Sequence, residues 1–170
     1  LLSGQATMLN PAEQLTMRKS HQFNFTYASQ KLNKGTGFIF FTSYSHSDGV
    51  YTYSNQRTAA YGLLFFLPQN GNELFSANIK MEKYASRIKT KFTLLLSSMY
   101  NATSLTYNEI ISRNKMYNIS IQPKLVTAFK GPVNAEASMT GVYTRNKTVP
   151  ETGTASDFEL WQYQGYGKLK

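Results

Sequence analysis

Groups able to do chemistry are few here: two histidines, nine carboxylates and no cysteine in 170 residues. A catalytic centre needs acid, base or nucleophile groups that converge. His21 opens one extended segment and His46 closes another, with no metal-ligand spacing around either. Glu13, Glu73, Glu109 and Glu151 fall in loops or at strand ends, while Glu82, Glu136 and Glu159 fall within strands. On a wet sheet face such carboxylates pair with Lys or Arg of the next strand, a simpler reading than a glycosidase-like carboxylate pair. No nucleophile elbow, phosphate-cradling glycine loop or zinc spacing occurs. The absence of cysteine removes thiolate metal sites, disulfides and a thiol nucleophile. The chain therefore reads as a non-enzyme, with no catalytic, cofactor-binding or metal residues and no cofactor.

The elements that would position these groups are strands. Hydrophobic residues make up 41% and mean hydropathy is −0.38, yet only 16% of residues are charged. Polarity comes instead from Ser, Thr, Asn, Gln and Tyr, beside 12 Tyr, 11 Phe and one Trp. Such a composition suits strands with one apolar face and one wet, uncharged face. The dominant period is two, the strand period. Phe75, Ala77, Ile79 and Met81 alternate with Ser76, Asn78, Lys80 and Glu82. The same alternation recurs over 21–27, 116–122 and 133–143. Strands are predicted over 19–32, 37–47, 57–67, 74–83, 88–100, 111–122, 133–144 and 157–169. Most run about ten to thirteen residues, and ten residues tilted by ~45° rise ~24 Å, close to the apolar band of an outer-membrane barrel.

Compact turns are expected at 33–37 and 69–72, and longer loops at 48–56, 101–110 and 145–156. Short turns on one rim and long loops on the other are an outer-membrane habit. The twelve tyrosines mostly fall near expected strand ends or in loops, where an aromatic girdle would put them. Four Asn-x-Ser/Thr sequons, at Asn24, Asn101, Asn118 and Asn146, read as products of an Asn-, Ser- and Thr-rich composition rather than glycan sites. The net charge of +9 implies anionic company, but the basic residues are scattered, so no nucleic acid is expected. No apolar run approaches the ~20 residues of a transmembrane helix, and the start at Leu1 suggests a processed, trimmed or partial chain.

Two stretches resemble the barrel of TonB-dependent outer-membrane receptors. Asn10-Pro11 followed by Ser20-His21-Gln22-Phe23-Asn24-Phe25-Thr26-Tyr27 is similar to the family's Asn-Pro-x-Leu-x-Pro-Glu-x-Ser lead into an alternating strand, with Arg18-Lys19 where Pro-Glu is usual. Phe75 to Ile121 adds a strand ending in Lys83-Tyr84, a short turn through Ser86-Arg87, a new strand, and a polar loop with Asn108-Glu109. The resemblance implies an all-β fold of antiparallel up-and-down strands of a transmembrane β-barrel. About eight strands would belong to this chain and the rest to a larger barrel, since plug, closing strand and signal are missing. Residues 1–18 would form the loop leading in and 19–170 the consecutive strands.

The resemblance further implies a nutrient-uptake receptor of the bacterial outer membrane. Its partners would be outer-membrane lipid and lipopolysaccharide, the remaining barrel and plug, a TonB-type energiser and a surface lipoprotein. The expected lipid-facing residues are Phe23, Phe25, Tyr27, Phe38, Phe40, Phe75, Ile79, Met81, Phe92, Leu94, Leu96, Ile119 and Ile121. The rival from another class is a soluble β-barrel or sandwich that binds a small apolar ligand or carbohydrate.

Overall fold

The computed structural model describes residues 6–7, 18–57, 62–69, 71–107, 110–128 and 134–169, with side chains described for 18–50, 71–106, 110–127 and 134–169. Asn10-Pro11, Glu13, Asn70, Asn108-Glu109 and Lys170 lie outside the described residues. The strands are β1 (Ala6–Thr7), β2 (Lys19–Lys31), β3 (Thr36–Asp48), β4 (Val50–Arg57), β5 (Gly62–Gln69), β6 (Asn72–Ala85), β7 (Thr90–Tyr107), β8 (Ile110–Ala128), β9 (Asn134–Pro150) and β10 (Ser156–Leu169). The described helical structure is one 3-10 turn, Leu32–Lys34.

Seven of these strands form an antiparallel meander in the order β2-β3-β6-β7-β8-β9-β10. The fold is therefore all-β and up-and-down, as the period of two demands. Among the described residues β2 pairs only with β3 and β10 only with β9, so the sheet is open rather than closed into a barrel. Ala6–Thr7, inside the expected leading loop, adds a two-residue parallel strand against Leu63 and Leu64 of β5.

One part of the expected order changes. Turns were expected to separate 37–47, 57–67 and 74–83 into three spans, but β3–β4 and β5–β6 form one long hairpin. Thr36↔Lys83, Ser47↔Asn72, Val50↔Gln69 and Arg57↔Gly62 keep a single register from end to end. The expected loop 48–56 is mostly β4, and the expected strand 57–67 lies largely in the returning limb. Asp48-Gly49 and Asn70-Gly71 carry turn chemistry, but it is spent on a kink. Gly49 (φ 69°) and Gly71 (φ 72°) take the left-handed conformation at neighbouring ladder positions. Beyond the kink the hairpin meets the end of β7 through Ser54↔Thr106 and Asn55↔Tyr107. The other expected loops start late, because β7 reaches Tyr107 and β9 reaches Pro150.

The two rims differ. At one rim the described connections are 32–35 and 86–89. At the other, β4–β5 continues beyond the β3–β6 ladder and β7 runs on to Tyr107, past the last β6 pair at Ala102, while β9 follows β8 as far as Ser112↔Pro150. No packed core lies between layers: Ala102 alone among the described apolar side chains is buried. The chain exposes 12584 Å², where a compact monomer of 19.2 kDa would expose roughly 8400 Å².

Candidate functional site

Because side chains alternate along each strand, the ladders assign every residue to a face. Phe23↔Tyr44, Tyr44↔Phe75, Phe75↔Tyr100 and Tyr100↔Tyr117 run straight across β2, β3, β6, β7 and β8. Tyr143↔Trp161 continues this aromatic rung on β9 and β10, stepped by one residue pair. Ring centroids lie 4.9 Å apart for Tyr100–Tyr117 and 4.6 Å for Tyr143–Trp161. All the residues expected to meet lipid, from Phe23 to Ile121, share the face that carries this rung.

Ions are sorted by face. From the rung to the short-turn rim, the aromatic face carries no Asp, Glu, His, Lys or Arg among the described residues of the seven strands until Lys31 and Lys83 at its edge. It presents Phe25 and Tyr27; Phe38 and Phe40; Ala77, Ile79 and Met81; Phe92, Leu94 and Leu96; Ile119, Ile121, Pro123 and Leu125; and Met139. Thr42 and Ser98 are polar exceptions, and the Thr42 hydroxyl donates to the Ser76 carbonyl at 3.1 Å, so it stays satisfied without water. Two residues past the rung toward the long rim, the same face turns ionisable on every strand but β7: His21, His46, Glu73, Lys115, Arg145 and Glu159.

Over the same span the opposite face holds the charges and amides. Lys80 and Lys91 both bind Glu82 Oε1, at 3.0 and 2.9 Å, and Lys124 binds Glu136 at 2.6 Å. Ser97 and Ser120 share a hydrogen bond of 2.9 Å, and Asn118 donates to Thr144 at 3.1 Å. All four sequon asparagines lie within strands on this face. It is not uniformly polar, since Ile39, Leu95 and Met99 also stand on it, each more than a third exposed. A recess of about 330 Å³ opens near the long rim, lined by Ser45, Ser47, Asn72, Asn101 and Thr103.

Beyond the ion-free band, the long rim holds a second polar system. Asp48 accepts from Gly71 N–H at 2.7 Å, and Arg113 donates to the Gly71 carbonyl at 3.0 Å. The Gly71 amide is the main cause that lowers the Asp48 pKa, with His46 and Lys19 adding smaller contributions. Arg145 clamps Asp157 through both carboxylate oxygens, at 3.0 and 2.6 Å, and reaches Glu159 at 3.3 Å. That hydrogen bonding lowers the Asp157 pKa and raises that of Arg145.

Among the described residues, the arrangement separates charged and apolar side chains onto the two faces of one sheet. Among the described residues no group of His, Asp and Glu could hold a metal ion. His21 and His46 sit side by side in the β2–β3 ladder; Asp48 lies 3.3 Å from His46, and Glu73 stands opposite His46 in the β3–β6 ladder. The clamp on Gly71 and the Arg145 fork were not foreseen. Strand parity places Arg145 beside Tyr143 on the aromatic face, but the carboxylates opposite it depend on a register that the sequence does not display. Comparison of the chain with protein-family models, with curated proteins and with solved structures finds no match.

Proposed function

We propose that the chain forms consecutive membrane-crossing strands of an outer-membrane β-barrel, with the aromatic face toward lipid and the opposite face toward a hydrated lumen. The observation that carries this reading is the ion-free band bounded by an aromatic rung and then by charge, repeated from strand to strand. Lipid excludes ions and favours Tyr and Trp at its boundary. From Phe92 to Tyr100 the strand path is ~26 Å, rising about 20 Å at the usual tilt, against an apolar band of ~25 Å. A soluble sandwich needs a second layer over its apolar face, and the described residues offer none.

Parity of strands constrains the rest. Strands alternate in direction, so β2 and β10, first and last of seven, run the same way. An all-antiparallel barrel then needs an odd number of further strands between them, because an open edge in lipid leaves unpaired backbone groups. A larger parent barrel meets that need. The finer assignment is a TonB-dependent receptor that takes up a nutrient, with a plug in the lumen, an energiser and a surface lipoprotein as partners. It rests on the resemblance carried by Asn10-Pro11, Ser20 to Tyr27 and Phe75 to Ile121 and on the long hairpins of one rim.

Single cysteines, in a region with none of its own, test the sidedness by spin labelling in bilayers. Labels at 77, 79 and 81 should be relaxed by lipid-soluble oxygen, and labels at 76, 78 and 80 by a water-soluble nickel chelate. Protection of 77, 79 and 81 from both reagents would mean a dry protein core and would overturn the proposal.

A further inference from the structure

The short-turn end of the aromatic face is cationic. Lys31 pairs with Thr36, and Thr36 pairs with Lys83, so one row of that face carries two ammonium groups with a hydroxyl between them. Two strand spacings separate the two lysines, roughly 10 Å. Lys34, Arg87 and Lys89 stand in the adjoining turns. None of these five cations has a carboxylate partner among the described residues. The acid of this region, Glu82, points to the other face, where Lys80 and Lys91 already engage it.

An apolar groove of about 620 Å³ adjoins this row, with Thr36 and Lys83 at its polar end and Phe38, Met81, Phe92 and Leu125 among its walls. Pro123 also lines it, and the β8–β9 ladder, continuous through Ile121↔Gly141, resumes only at Lys124↔Ser138. Proline brings no N–H, so this central strand tolerates it at a gap in the ladder.

We propose that this is a binding site for an anionic phospholipid of the membrane leaflet at the short-turn rim. The phosphate lies between Lys31 and Lys83 with Thr36 as a hydroxyl donor, and an acyl chain fills the groove. The inference rests on the membrane reading above and adds the leaflet and the ligand class. Two observations meet in it: uncompensated positive charge at the short-turn edge of the ion-free band, and an apolar channel that begins where that charge sits. A free phosphate would use the same cations but would leave the groove unfilled.

Photo-crosslinking of the full chain in bilayers separates these cases. The bilayer contains phosphatidylcholine with a minor share of either phosphatidylglycerol or phosphatidylcholine bearing a diazirine in the acyl chain. Adducts are mapped by mass spectrometry. Phosphatidylglycerol adducts should exceed phosphatidylcholine adducts on peptides carrying Phe38, Met81 and Phe92, while Phe23 and Tyr163 should show no such preference. Lys31→Gln and Lys83→Gln should each reduce the excess by about fivefold, and unchanged phosphatidylcholine adducts report that the variants remain inserted. Equal labelling by both lipids, or a preference that survives the double variant, would overturn the site and leave the membrane reading standing. Loss of the preference on adding inorganic phosphate at constant ionic strength would assign the cations to free phosphate instead. Absence of adducts from either lipid would sink both readings.

Discussion

Asp48 and Gly71 face each other across the step where the β3–β6 ladder gives way to β4–β5, and the Asp48 carboxylate accepts the Gly71 N–H at 2.7 Å. Arg113 holds the carbonyl of the same residue, so one peptide position is gripped by two strands. Gly49 and Gly71 give the kink its backbone freedom, and these bonds restrict it. Replacing Asp48 by Ala should free the hairpin: hydrogen exchange should accelerate at Gly71 and along 50–57 and 62–69, with β7 and β8 near 90–96 and 121–127 unaffected. The bond needs the ionised carboxylate, whose pKa the Gly71 amide lowers. Its contribution is therefore complete above the ordinary Asp range near 3.9 and is lost as pH falls through the lowered value. Exchange along the hairpin, corrected for intrinsic rate, should rise only in that acid window. A rise already complete by neutral pH would sink this role for Asp48.

Ile79 and Asn78 are neighbours in sequence and belong to opposite faces. On the proposed membrane reading, Ile79→Lys should destabilise the protein in a bilayer by about 2–4 kcal/mol, the cost of a cation on a lipid-facing side near the midplane. Asn78→Lys should cost little, since Lys80 already stands on that face as an ion pair. Urea titrations in lipid vesicles measure both. Equal penalties would contradict the sidedness.

The sidedness was legible because alternation is local: Phe75 to Glu82 declares two faces without any partner. Strand number was less legible. Asp48-Gly49 and Asn70-Gly71 look like turns, yet both glycines spend their positive φ on a kink inside one hairpin. Only the constant register from Thr36↔Lys83 to Arg57↔Gly62 distinguishes the two outcomes, and register depends on the partner strand. The ion-free band was visible in part, as the list of apolar residues on alternate positions. Its limits were not, because the rung from Phe23 to Tyr117 exists only once five strands are aligned. Lys31 and Lys83 lie 52 positions apart in sequence (83 minus 31), and only Thr36 between them makes them one row.

Gly35 joins the first two hairpins of the short-turn rim. It closes the turn after β2 at φ 57°, and its carbonyl accepts the Tyr84 N–H at 2.7 Å. A Cβ built there would sit 2.9 Å from the Tyr84 Cβ. Gly35→Ala thus combines a left-handed backbone, costing about 1–2 kcal/mol for an L-residue, with a contact that neither strand can relieve without losing that hydrogen bond. The expected result is a loss of at least that size in urea titration, with faster exchange of the Tyr84 amide. Gly165→Ala is the matched control, because nothing lies within 4 Å of its would-be Cβ and its backbone is ordinary. That change should be neutral or stabilising by up to about 1 kcal/mol, the usual cost of glycine within a strand. If both alanines behave alike, the turn is not what ties β2–β3 to β6, and the Gly35–Tyr84 contact carries no such role.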